Sequence, residues 1–118
     1  MIASPPRSNT ESAKILVVDD DPIIRRTMSL CLEAEDHTLF GASSVREALE
    51  LAGRQFFDVA FVDLRLGGQS GMDLIPELQS ANPGIRIILI TAFGGIEIAV
   101  QAIKRGAFDY LPKPFEPG

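Results

Sequence analysis

One cysteine, one histidine, one tyrosine and no tryptophan stand among the 118 residues of this chain. A lone Cys31 excludes an internal disulfide and suits a reducing cytoplasm. Because it falls in an apolar helical pattern, it is expected to be a buried structural thiol. His37, ahead of a weak strand, is expected to be exposed. No apolar run approaches the roughly 20 residues that span a bilayer, so no membrane segment is expected. There is no Lys/Arg cluster either, and the net charge of −5 argues against direct nucleic-acid binding, which needs a basic face. The start of the chain is polar and rich in Ser and Pro, with no hydrophobic block after a basic stretch, so it is no secretory signal. Residues 1–13 read as a disordered leader and 14–118 as one domain. In that domain the balance is ordinary for a globular protein, since 46% of the chain is hydrophobic and 23% charged.

What is present is an alternation of short apolar strands and amphipathic helices. KILVVD, Lys14 to Asp19, is a strand apolar enough to be buried on both faces, and it runs into three aspartates. A helix opens at Pro22, where a missing N–H costs nothing, with Ile24, Met28, Cys31 and Leu32 inward. HTLFG (37–41) is a weaker second strand. Ser44 and Glu47 have capping-box spacing and open a helix with Val45, Ala48, Leu49 and Ala52 inward. DVAFV (58–62) is a third strand, ending on Asp63. A glycine-rich loop from Leu66 to Gly71 precedes a helix around Asp73 to Ser80, in which Pro76 predicts a late start or a bend. IRIILI (85–90) is a fourth strand ending at Thr91. Ile96, Ala99, Val100 and Ile103 form the apolar stripe of a helix over about 95–104, and Phe108 to Leu111 is a fifth strand. Phe56, Phe57 and Phe108 are expected to pack in the core or at strand boundaries.

Such alternation predicts a doubly wound α/β fold, with a five-stranded parallel sheet in the order 2-1-3-4-5. Sheets of this kind place their sites at the C-terminal ends of the strands. Asp19 and Asp20 follow the first strand, Asp63 ends the third, Thr91 ends the fourth and Lys113 follows the fifth. All of them fall at one edge.

Three carboxylates and one lysine leave an excess of negative charge, which favours a bound cation. An all-oxygen donor set favours Mg2+ or a similar hard ion such as Mn2+. Asp63 is the candidate nucleophile, because a carboxylate can accept a phosphoryl group as an acyl phosphate. The metal and Lys113 would neutralise the transferring oxygens, and Thr91 would donate to another. Asp21 is expected to cap the helix instead of binding metal.

ILVVDDD, AFVDLRL, ILITAFG and FDYLPKPF, in that order, resemble the receiver domain of bacterial two-component response regulators over Lys14 to Phe115. The stretch from Thr91 to Phe115 is similar to the nitrogen-regulatory type. The resemblance implies a phosphoacceptor switch served by a sensor histidine kinase and joined to a C-terminal transcriptional output domain. It implies direct metal ligation by Asp20 and Asp63, Asp19 acting through water, and a further oxygen from the Arg65 backbone carbonyl. Thr91 and Tyr110 would be the switch pair, and Lys113–Pro114 a cis bond that aims the lysine. Arg65 and Phe93 would tune the phosphoryl lifetime. Ile96, Ile98 and Tyr110 would lie on a face governing phosphorylation-dependent homodimerisation. Slow self-hydrolysis, and not turnover of an external substrate, is implied.

Two departures from the family pattern stand out. Gly67 and Gly68 replace a Met-Pro type turn and are expected to loosen the loop. The family's fifth helix is absent before Gly118, which predicts an uncovered apolar sheet face and a chain that continues. The rival reading is a Mg2+-dependent aspartyl phosphatase, but those enzymes carry the nucleophile after the first strand. An interaction module with a dead site, or a flavin-binding domain, fits less of the chemistry. The latter lacks a phosphate-binding glycine loop after the first strand.

Overall fold

The structure is a computed structural model describing residues 13–33, 36–92 and 96–112. In chain order it contains β1 (Lys14–Val18), α1 (Pro22–Glu33), β2 (Thr38–Ala42), α2 (Val45–Arg54) and β3 (Val59–Asp63). Two short strands follow, β4 (Arg65–Leu66) and β5 (Gln69–Ser70), then α3 (Gly71–Ala81), β6 (Arg86–Thr91), α4 (Ile96–Lys104) and β7 (Asp109–Pro112). The sheet order is β2-β1-β3-β6-β7, with every pair parallel. Since β4 and β5 pair only with each other as an antiparallel hairpin, this is the expected 2-1-3-4-5 order. Residues 1–12 of the leader and the segment from Lys113 onward, where the missing fifth helix would follow, lie outside the described residues, while Ala13 is held to β2 by the Thr38 N–H.

Alternation along the strands sorts their side chains onto two faces. Leu16, Val18, Ala60, Val62, Ile87 and Leu89 face the larger core, together with Ala48 and Ala52 of α2, Leu74, Ile75 and Leu78 of α3, and Ala102 of α4. Ile15, Val17 and Ile90 face a smaller one, closed by Met28 of α1 with Ile24 and Leu32 at its margin. Among the described residues α1 is the only helix on this second face. An apolar groove lined by Thr27, Met28, Cys31, Leu32, Phe61 and Leu111 runs along it. Cys31 is therefore exposed instead of buried: it sits at the flank of α1, where no described element covers it.

Three loops are locked by side chains. Asn82, fully buried, accepts from the Phe57 N–H and donates to the Ala52 carbonyl at 3.0 Å, joining the ends of α2 and α3 to the entry of β3. At α2 the Ser44 hydroxyl accepts from the Glu47 N–H at 3.1 Å. The Glu47 carboxylate returns to the N–H and hydroxyl of Ser43, one residue earlier than an ideal capping box. His37 is half-buried, not exposed, and its Nδ1 accepts from the Ala13 N–H at 3.1 Å.

Other expectations are corrected by packing. Helix α3 begins at Gly71 and runs through Pro76; Ser70 caps it by accepting from the Met72 N–H, so its start is fixed upstream of the proline. The stripe of α4 faces outward: Ile96 is 83% and Ile103 48% exposed, while Ala102 is buried and Ile98 packs on the core. Apolar residues cover more than one side of this helix, and the small Ala102 is the one that fits close against the sheet. Of the three phenylalanines, Phe57 alone is buried, edge-on to Phe40; Phe56 and Phe108 are exposed. No helix among the described residues is long and apolar enough to cross a membrane.

Candidate functional site

Register explains why the polar residues meet. Val18 lies level with Ala42 and Val62, Asp63 with Ile90, and Thr91 with Pro112. The strands thus end within a residue or two of one another, and whatever follows them emerges at one edge.

Asp19, buried just past β1, has its backbone held on both sides. Its N–H donates to the Ala42 carbonyl at 3.0 Å, and its own carbonyl accepts from the Arg25 guanidinium at 2.7 Å. Its Oδ1 accepts from the Asp21 N–H at 2.9 Å. Asp20 is exposed, and its Oδ2 accepts from the Gly67 N–H at 3.0 Å. Asp63, at the end of β3, is buried. One carboxylate oxygen from each of Asp19, Asp20 and Asp63 lies within 4.8 Å of the other two. Asp21 turns aside as expected, accepting from the Ile23 N–H at 2.9 Å to cap α1.

Thr91 is buried at the end of β6. Tyr110 in β7 is half-buried and packs on the larger core. Arg65 opens the β4–β5 hairpin with an exposed side chain. Lys113, Pro114 and Phe93 lie outside the described residues.

A cation suits this donor set. Three acidic side chains without imidazole or thiolate place hard oxygens and up to three negative charges together, and such a cluster is most simply neutralised by a hard divalent ion.

Sequence reasoning missed the loop's part in the site. Far from being loosened by glycine, the loop is tied to it: Gly67, at φ +58°, bonds Asp20, and Gly71 donates to the Leu64 carbonyl at 2.7 Å. A Cβ on Gly71 would overlap the Asp63 carbonyl. The available signal was a glycine in the first turn of a helix, which costs stability unless a close backbone approach requires it.

Comparison with known proteins agrees with this geometry. The family described as response regulator receiver domain matches residues 15–118. The alginate biosynthesis transcriptional regulatory protein AlgB of Pseudomonas aeruginosa is 40% identical over 110 residues, covering 93% of this chain and 24% of that protein. The response regulator protein PilR of the same species is 41% identical, over 89% of this chain and 24% of its own length. The chain thus spans about a quarter of these relatives. A response regulator from Burkholderia pseudomallei, crystallised with a phosphorylated aspartic acid, calcium ion and citrate, superposes with a TM-score of 0.84 at 39% identity, over 89% of this chain and 62% of that one. The beryllofluoride-activated NtrC4 receiver domain dimer gives 0.82 at 35%, over 87% and 85%.

Proposed function

This chain belongs to the response regulator receiver domain family, of the nitrogen-regulatory type, and from that premise we propose that Asp63 is its phosphoacceptor. The observation that carries the assignment is the convergence of Asp19, Asp20 and Asp63 at the sheet edge where buried Thr91 also ends. A phosphorylated aspartate in the Burkholderia pseudomallei neighbour supports it.

A carboxylate oxygen of Asp63 attacks the phosphorus of a phosphohistidine on a sensor kinase. The P–N bond breaks, the imidazole nitrogen leaves with the bonding pair, and an acyl phosphate forms. Asp20 and Asp63 would hold Mg2+ directly, with Asp19 through water and the Arg65 carbonyl as a further donor. The ion would supply positive charge against the transferring oxygens. Thr91 donates its hydroxyl to a phosphoryl oxygen, and Lys113 brings an ammonium to another. Loss of the group is by water attack at phosphorus, which releases inorganic phosphate and the free Asp63 carboxylate. The chain is therefore a self-modifying switch and not a turnover enzyme.

The switch acts through Thr91, the last residue of β6, and Tyr110, within the adjacent β7: movement of Thr91 toward the phosphoryl group makes room for the tyrosine and resets α4. Exposed Ile96 belongs to the face that changes, and a phosphorylation-dependent homodimer is its readout; the NtrC4 receiver dimer supports this. The transcriptional regulatory protein AlgB among the relatives supports a cytoplasmic role upstream of a DNA-binding output domain.

Intact-mass spectrometry after incubation with Mg2+ and acetyl phosphate tests the proposal. One phosphoryl mass is expected in the wild type and none in Asp63→Asn or after chelation of the metal. Undiminished phosphorylation of Asp63→Asn would overturn the assignment.

A further inference from the structure

We propose that Arg25 is a positioning residue of the acidic site: it holds the Asp19 backbone so that the Asp19–Asp20 pair faces Asp63 before a cation arrives. The inference rests on the metal-site reading above.

The guanidinium donates to the Asp19 carbonyl at 2.7 Å, a charge-assisted bond at the short end of the range. Asp19 already donates its N–H to the Ala42 carbonyl. The residue is thereby pinned from β2 on one side and α1 on the other, at the point where the chain leaves the sheet. Two further features fix the direction of the arginine. Its own N–H bonds the Asp21 carbonyl at 3.2 Å, anchoring its Cα in the first turn of α1. Its stem then passes Gly41 of β2, where a Cβ would already stand 3.4 Å from the arginine Cδ. The side chain is half-buried along this path. A flexible surface arginine would lose most of its rotamer freedom in making such a bond, whereas this one is guided into it.

Arg25 affects a divalent ion in two opposite ways. As a positive charge near the acids it repels the cation, so on charge alone its removal would tighten binding. As a donor to Asp19 it fixes the ligand geometry, so its removal would weaken binding. The sign of the effect decides between them.

The experiment is calorimetric titration of Mg2+ into the full chain as wild type, Arg25→Met and Arg25→Lys, each checked for folding by its urea midpoint. Arg25→Met keeps the apolar stem without the donor, and its Mg2+ dissociation constant is expected to rise about tenfold, the lower end for loss of an outer-shell partner. Arg25→Lys keeps the charge and one donor and should recover part of the loss. It also supplies a folded variant should Arg25→Met not fold. The Mg2+ concentration giving half-maximal Asp63 phosphorylation should rise in step with the dissociation constant, a readout that a merely structural role would not move. Unchanged or tighter Mg2+ binding in the substituted chains, beside a wild type that binds, would overturn the inference alone. A wild type that binds no Mg2+ would overturn the metal-site reading and the inference together.

Discussion

Gly71 lies so close to Asp63 that a single added methyl group on it would occupy the space of the Asp63 carbonyl oxygen and press on the Val62 side chain at 2.9 Å. The first residue of α3 and the last residue of β3 are therefore one packing unit. The helix is docked through backbone-to-backbone contact, and the bond from the Gly71 N–H to the Leu64 carbonyl closes the hairpin between them.

Gly71→Ala is accordingly expected to destabilise the fold by about 1–3 kcal/mol, the usual cost of overpacking where backbone must move. Because the atom displaced belongs to Asp63, phosphorylation by acetyl phosphate should slow as well. Urea denaturation and a phosphorylation time course check the two effects. Retention of both wild-type values would show that the hairpin relaxes freely and that the contact is incidental.

Asn82 is the second structural test. Asn82→Ala leaves the Phe57 N–H and the Ala52 carbonyl buried without their partner, at an expected cost of about 2–4 kcal/mol. Asn82→Asp keeps the acceptor for Phe57 but loses the donor to Ala52, and it adds a buried charge above the carboxylate range. Its urea midpoint should fall below that of the wild type and recover partly in acid. A loss smaller than about 0.5 kcal/mol in Asn82→Ala, the range of ordinary surface changes, would contradict the buried lock.

Glu47 links stability to pH. The Ser43 backbone N–H, then the Ser43 hydroxyl, hold its carboxyl below its ordinary value, with Arg25 and Arg46 adding smaller favourable fields. A folded value below the unfolded one contributes stability fully present above the unfolded pKa and lost as pH falls through the folded pKa. The urea midpoint of the wild type should therefore exceed that of Glu47→Gln at neutral pH, and the gap should close across that acidic window. A gap of constant size down to strongly acid pH would show that the ionised carboxylate is not what the serine holds.

Much of the fold was legible because strand burial and strand–helix alternation are local properties of the chain. Lys14–Val18 could hardly be anything but a central strand, and the similar runs at 58–62 and 85–90, separated by helices, imply a parallel sheet whose C-terminal edge collects Asp19, Asp20, Asp63 and Thr91. The same local logic failed on α4. Its apolar residues wrap more than one side, so period alone does not say which side meets the sheet, and the choice of Ile98 and Ala102 over Ile96 and Ile103 follows from how closely the helix approaches β7. Cys31 and Phe56 are exposed against expectation for a related reason: an apolar type in an apolar pattern does not reveal whether another element covers it.

The order of residues along the chain is enough to set the chemistry of this protein: which side chains are acidic, which strand each one ends or follows, and hence that carboxylates and a threonine share one edge. Tertiary structure alone decided what holds them there. Arg25 on the Asp19 carbonyl, Gly67 on the Asp20 carboxylate and Gly71 against the Asp63 carbonyl are contacts between residues 6, 47 and 8 positions apart whose partners are largely backbone atoms. Backbone groups are the same at every position, so no residue type announces such a contact; only the path of the folded chain brings donor and acceptor together.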